Sequence, residues 1–351
     1  MMNSLKQVVL VICMFGILLV GGVPALAASG TGDVDGWRHE KLVVSSGKEA
    51  WVDLVLPVGT EVILVEAVTS RKADVTLRMF GINVPPLTSG LATLMMVKGY
   101  DFKSLPPKNR LRVLADGKAG EQVPIDVYYR GLPHRDAKKP LQLIVDICTL
   151  KNAEMRLSAD LMKGVTGYMT EIFRRQGIEL SIKTLELPAR WAKIHGEENL
   201  QKLFAARFGR MTPGAIKILM VDELEVPEFG LCDSSVAISL GLPAPSSPYL
   251  SHLAGVAIPV RDFTSTTAPI DTASAHVGNY IIHELFHALG LPHTMEFDKS
   301  RRDSFRSTAD NTDSNMMSPM APRISCPEVT AEQRDYLRQH PLIREPARAG
   351  N

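Results

Sequence analysis

The sequence predicts a two-part fold of mixed α and β class: a small all-β, sandwich-like domain, then an α/β (or α+β) domain on a twisted, mostly parallel sheet. Three observations carry this. Residues 38–132 alternate apolar and polar side chains with period two. From residue 141 onward, strand-like and helix-like runs take turns. Late in the chain, HELFHALGLPH (His283–His293) places three of the nine histidines within one short stretch.

Ahead of the β-rich part, residues 1–27 read as a secretory leader. Lys6 supplies the charged start, Val8 to about Val20 the apolar run, and Ala25-Leu26-Ala27 the small-x-small cleavage pattern. The apolar run is short for a bilayer span and breaks at Gly21-Gly22-Val23-Pro24. The expectation is an exported protein, secreted or held in the periplasm or envelope, with no stable membrane span once the leader is cut. Lys plus Arg is 39 and Asp plus Glu is 38, a balance that gives no footprint for nucleic acid or an anionic surface. The chain has four cysteines; Cys13 falls in the leader, leaving Cys148, Cys232 and Cys326 in a compartment that permits disulfides.

The β-rich part spans 28–138. WVDLVLP at 51–57, TEVILVEAV at 60–68, ADVTLRMFGI at 73–82, NRLRVLADG at 109–117 and PIDVYYRGL at 124–132 are its strands, with turn residues such as Pro57-Val58-Gly59 between them. PHRDAKKP at 133–140 reads as a linker. The second part spans 139–345, with a short tail at 346–351. LQLIVDIC at 141–148 is a buried strand. A helix from about Ser158 to Gln176 follows, striped by Leu161, Val165, Tyr168 or Met169, and Ile172, and closed at Gly177. IELSIKTLEL (178–187) and AIKILMVDEL (215–224) are strands around a helix near 197–209.

The histidine stretch lies on a helix whose expected N-cap is Asp271 or Thr272. His283 and His287 stand four residues apart and so share one helical face. Val277, Ile281, Leu285 and Ala288 form an apolar stripe on the other side. Gly290 can take positive φ and end the helix, Pro292 helps stop it, and His293 can then approach from another direction. Three imidazoles with an open fourth position are the catalytic zinc arrangement, and Glu284 is placed to act as general base. Five fixed positions at these offsets arise by chance about once in 10⁵ chains of this size.

HExxHxxGxxH resembles the zinc signature of the metzincin metallopeptidases. The resemblance makes His283, His287 and His293 the ligands of one catalytic Zn²⁺, Glu284 the base and Gly290 the turn. Asn-Met-Met in SNMMSP (314–319) looks like the family's Met-turn, with Met317 the better match and Met316 its neighbour. VTAEQRDYLRQ (329–339), capped by Thr330, resembles the closing helix. Thr294 after the last ligand resembles pappalysin-like members, and matrixin-like features are also present; the subfamily stays unassigned. Pro319 stands where several subfamilies carry a tyrosine. The family pairs an extended protein or peptide substrate with an exposed strand above the zinc helix, and AGVAIPV at 254–260 is the candidate, with Gly255, Val256, Ala257 and Ile258 as substrate-binding positions. Some members link the cleft rim to the C-terminal part by a disulfide, which Cys232 and Cys326 would form here; connectivity is not readable from spacing.

The polar loop 296–315 contains Asp298, Asp303, Asp310 and Asp313, but no Ca²⁺-ligand spacing, so calcium is unsupported beside zinc. Residues 28–140 contain no cysteine, which disfavours latency by a thiolate on the metal. The expectation is an exported zinc metalloendopeptidase. Two other readings compete with it: a binding or adhesion protein that retains the zinc fold without cleaving, and a zinc hydrolase of non-peptide amides. The β-rich part is open between inhibitory pro-segment, binder and stabilising module.

Overall fold

The computed structural model describes residues 38–45, 49–68, 74–79, 82–84, 91–105, 109–116, 122–131, 141–150, 157–206, 208–227, 237–240, 255–261, 268–294, 303, 305–308, 314–318, 327–340 and 342–346. The leader, the linker at 133–140, Cys232, Cys326, Pro319, and Asp298, Asp310 and Asp313 of the polar loop lie outside them.

Eight strands come first: β1 (Arg38–Ser45), β2 (Glu49–Leu54), β3 (Val62–Val68), β4 (Asp74–Met79), β5 (Ile82–Val84), β6 (Leu91–Val97), β7 (Asn109–Asp116) and β8 (Gln122–Arg130). They form two antiparallel sheets, ordered β1-β8-β3-β6 and β2-β7-β4-β5. Alternation drives the inner faces together: Leu42, Ile63, Val65, Ile125 and Val127 of one sheet share a buried core with Val52, Leu54, Leu77, Leu111 and Val113 of the other. This is the expected sandwich. The strands β1, β5 and β6 were not among the runs singled out by period. For β6 the reason is physical: Met96 faces the sandwich core, while Met95 and Val97 pack into the core of the second part. A strand buried on both faces loses its alternation.

The second part holds β9 (Leu141–Leu150), α1 (Ala159–Arg175), β10 (Ile178–Leu187), β11 (Lys193–His195), α2 (Glu197–Ala205), β12 (Ile216–Val221), β13 (Glu223–Glu225), β14 (Ile238–Leu240), β15 (Gly255–Pro259), α3 (Ile270–Ala288) and α4 (Ala331–Leu337). The main sheet runs β10-β9-β12-β15-β14. All its pairings are parallel except β14 against β15. α1 and α3 cover one face, where Val145, Ile147, Ile218, Val256 and Ile258 meet Val165, Met169, Val277 and Ile281. On the other face, Leu200, Leu203 and Phe204 of α2 pack over Cys148, Leu219 and Ala257. Ser158 caps α1 by accepting from the Leu161 N–H at 3.1 Å. α1 and α3 approach so closely that a Cβ on Gly164 would sit 2.1 Å from Ser274 Oγ.

Two expectations are corrected. α3 starts at Ile270 after Pro269, with no side-chain cap; Asp271 and Thr272 lie inside its first turn. The second concerns Gly255, Val256, Ala257 and Ile258. They are not an exposed rim: β15 is paired on both sides, with β12 and β14, and every residue of it is buried. Pro259 is tolerated because β14 pairs only Gly255–Ala257 and stops short of it. Among the described residues the two edge strands of the sheet are β10 and β14, and β14 is the one next to β15.

The sheet β1-β8-β3-β6 turns its outer face to the second part. Val62, Leu64, Met95, Val97 and Tyr128 join one core with Phe305, Met316, Met317, Tyr336 and Leu337. Arg130 Nη2 donates to the Gln339 carbonyl at 2.7 Å. Glu66 shares the strand face of Val62 and Leu64. It is fully buried, and neither carboxyl oxygen has a hydrogen-bond partner among the described residues. Asp126, itself bonded to His39 at 2.6 Å, stands directly across from it on β8.

Burial first, and the Asp126 charge second, hold the Glu66 carboxyl well above its ordinary value of 4.5. The fold therefore favours the protonated form. This group's stabilising contribution is complete below pH 4.5 and is lost as pH rises through its folded value. Glu66→Gln is expected to raise stability at pH 8 by about 1–3 kcal/mol and to change it little at pH 4. Urea denaturation of both proteins at the two pH values measures this; equal differences at both would refute it.

Candidate metal centre

The three histidines converge. His287 Nε2 lies 3.1 Å from His283 Nε2, and His283 Nε2 lies 3.2 Å from His293 Nε2. Together they are a group of ligand atoms able to hold one metal ion. Each is delivered differently. His283 and His287 come from successive turns of α3. His293 comes from the chain beyond its end.

The helix end is built to make that turn. Gly290 has φ +91°, its N–H donates to His287 O at 2.8 Å, and the Leu291 N–H donates to Phe286 O at 2.9 Å. This double closure is a Schellman motif, for which the left-handed glycine is required. It also aims the Leu291 carbonyl at His287 Nδ1, 2.7 Å away. His283 Nδ1 meets the Met316 carbonyl at 2.7 Å. A carbonyl only accepts, so both Nδ1 atoms carry the proton and both Nε2 atoms present bare lone pairs.

The turn at Asn315–Ser318 is held from several sides. Asn315 Oδ1 accepts from the Met317 N–H at 2.9 Å, and Asn315 O from the Ser318 N–H at 3.1 Å. The Asn315 and Gln333 amides exchange two hydrogen bonds, at 2.9 and 3.0 Å. Gln333 also closes a capping box with Thr330 at the start of α4. Met317 O accepts from the Thr294 N–H at 2.7 Å, fixing the residue beside His293. Met316 and Met317 are both fully buried. The expected Met-turn segment thus braces two of the histidines: His283 through a carbonyl, and His293 through its neighbour.

Electrostatics fit a cation. Two bare nitrogens 3.1 Å apart cannot hydrogen-bond to each other. Burial holds His283 near 4 and His287 well below its ordinary value, so protonation does not relieve the contact. Nitrogens bound about 2.0–2.1 Å from one ion at tetrahedral angles lie about 3.3–3.4 Å apart. The observed spacing is close to that. Glu284 directly follows His283 on α3, and its carboxylate accepts from the Ser239 N–H of β14. Burial pushes its carboxyl up to about 8; a dication alongside would favour the carboxylate again.

Sequence reasoning named all three histidines, Glu284, Gly290 and Met317, and the structure brings the three histidines together. It missed Met316 O, Leu291 O and Ser239 N, which are backbone atoms and leave no residue-type signal. Cys148 is buried and free, with its thiol pushed up to about 12 by burial. No helix among the described residues is long and apolar enough to cross a membrane.

No family model and no curated protein matches the chain. Among solved structures, metalloproteinase-II of Bacteroides fragilis is similar to it. It is 12% identical, over 85% of this chain and 92% of that one, with a TM-score of 0.34. Another is a structure of disulfide-linked pili from Bacillus endospore appendages, at 9% identity over 30% of this chain and 98% of that one, with a TM-score of 0.19. Likeness at these scores is too slight to carry function, which rests on the histidine geometry.

Asn315→Ala removes the clamp on the turn that orients His283. It is expected to weaken zinc binding by about 10–100-fold. Competition with a chromophoric chelator measures this, and unchanged affinity would show that the turn holds its shape without the amide.

Proposed function

We propose that the protein is an exported zinc-dependent endopeptidase. The observation that supports this most is the pair of unprotonated histidine Nε2 atoms held 3.1 Å apart, with the third at 3.2 Å. His283, His287 and His293 would hold the ion. When bound, zinc supplies a Lewis acid that acidifies a water and polarises a carbonyl. Glu284 accepts the proton of the attacking water and delivers it to the leaving amine. The Ser239 N–H fixes the carboxylate for that exchange and ties it to β14.

β14 replaces β15 as the substrate strand in this proposal. It is one of the two edge strands of the sheet among the described residues, the other being β10, and its main chain bonds to Glu284. An extended peptide added along it would gain main-chain hydrogen bonds with little dependence on side chains. Export follows from the leader read in residues 1–27.

The test uses the zinc-loaded, fully processed protein on a peptide library. Wild type is expected to cut peptides and to lose this with chelator. Glu284→Ala is expected to keep its zinc while losing hydrolysis by more than about 100-fold. A wild type that cuts no peptide would overturn the proposal in favour of a binding protein or a hydrolase of other amides, and an alanine variant that cuts as well as wild type would overturn Glu284 as the base.

A further inference from the structure

We infer that the β-sandwich is a resident part of the metal centre and that Met95 of β6 is a positioning residue for it; this rests on the reading of the three histidines as a metal site. Met95 comes from the sandwich, yet its Sδ lies 3.3 Å from where a Cβ on Gly290 would stand, with Tyr336 Cε1 at 3.4 Å on the same spot. The Gly290 turn is what sends His293 to the ion and what turns the Leu291 carbonyl onto His287.

Met95 also holds the second brace. Its carbonyl accepts from Tyr336 Oη at 3.3 Å. Tyr336 lies on α4, three residues beyond Gln333, whose amide clamps Asn315 and so the carbonyl that orients His283. One residue of the sandwich therefore backs both supports of the triad. Tyr100 extends the contact, meeting Phe305 edge-on at 5.3 Å and Tyr336 at 5.9 Å.

This placement does not fit a pro-segment that blocks the ion and is later discarded. Among the described residues, the one group arranged to hold a metal is the three histidines, and the sandwich adds no ligand to it. The sandwich presses on the turn from behind. Removing it would expose Val62, Leu64, Met95, Val97 and Tyr128 on one side and Tyr336 and Leu337 on the other, all now buried.

The experiment uses the full chain with zinc as the probe. Met95→Ala is expected to weaken zinc binding by about 10–100-fold, the range for loss of an outer-sphere support, and Met95→Leu to restore most of it. Val65→Ala is the control: it hollows the sandwich's other core, away from the seam, and is expected to lower the melting temperature without changing zinc affinity. If Met95→Ala does not fold, Met95→Val gives the same readout with a smaller shift. A protease site inserted at 133–140 and cut is expected to leave two pieces that co-elute and keep their zinc. The inference is overturned if Met95→Ala or Met95→Val binds zinc as tightly as Val65→Ala does, or if the cut sandwich departs from a zinc-tight remainder. A wild type that binds zinc but cuts no peptide would sink the peptidase reading, while the Met95 affinities would still support this inference.

Discussion

The fold is organised around a contact that is repulsive on its own. Two imidazole Nε2 atoms, each left without a proton because its ring's Nδ1–H donates to a carbonyl, face each other at 3.1 Å. Burial blocks the easy escape, which would be to protonate one of them. A third ring closes the arrangement from outside the helix. Only a cation turns this cluster from a cost into a source of stability, and structural support must hold the rings in place whenever the cation is absent.

That support is unusually polar for so buried a region. Asn315, Gln333 and Thr330 are all buried, and their amide and hydroxyl groups bond to one another and to the backbone. A fully satisfied network of this kind is rigid, because breaking any one bond strands a polar group away from water. α3 runs between this network and the sheet. Its residues from Ala273 to Ala288 are buried with few exceptions, so it is a central helix and not an amphipathic surface one. His283 and His287 therefore stand on an element that has little freedom to tilt.

Much of this was legible in the sequence, and the failures have physical causes. β10 matches its predicted bounds, and α1 differs by a residue at each end, because period and caps agree there: Ser158 at one end, Gly177 with φ +69° at the other. The histidine spacing reads directly because helical geometry makes i and i+4 neighbours. The apolar stripe proposed for α3 is real, but Ile282 and Phe286 on other faces are buried too, which a stripe reading does not anticipate. The sheet edge was misplaced because a short, three-residue strand such as β14 has almost no pattern of its own, while Gly255–Pro259 has a strong one. A run of apolar residues marks burial, and burial is the opposite of an available edge.

The same logic explains why β6 was unreadable as a strand of a free-standing sandwich. An autonomous sandwich keeps its outer faces polar. Here the outer face of β1-β8-β3-β6 is apolar at Val62, Leu64, Met95, Val97 and Tyr128, and those residues have no core of their own on that side. They acquire one only when α4, Phe305 and the Asn315–Ser318 turn are in place. The Arg130 side chain donating to Gln339 and the Tyr336 hydroxyl donating to Met95 then fix the register of the seam. The sandwich is thus coupled by packing to the part of the chain that carries the three histidines, and the polar cost left in that seam falls on Glu66, whose carboxyl is buried beside Asp126 without a hydrogen-bond partner among the described residues.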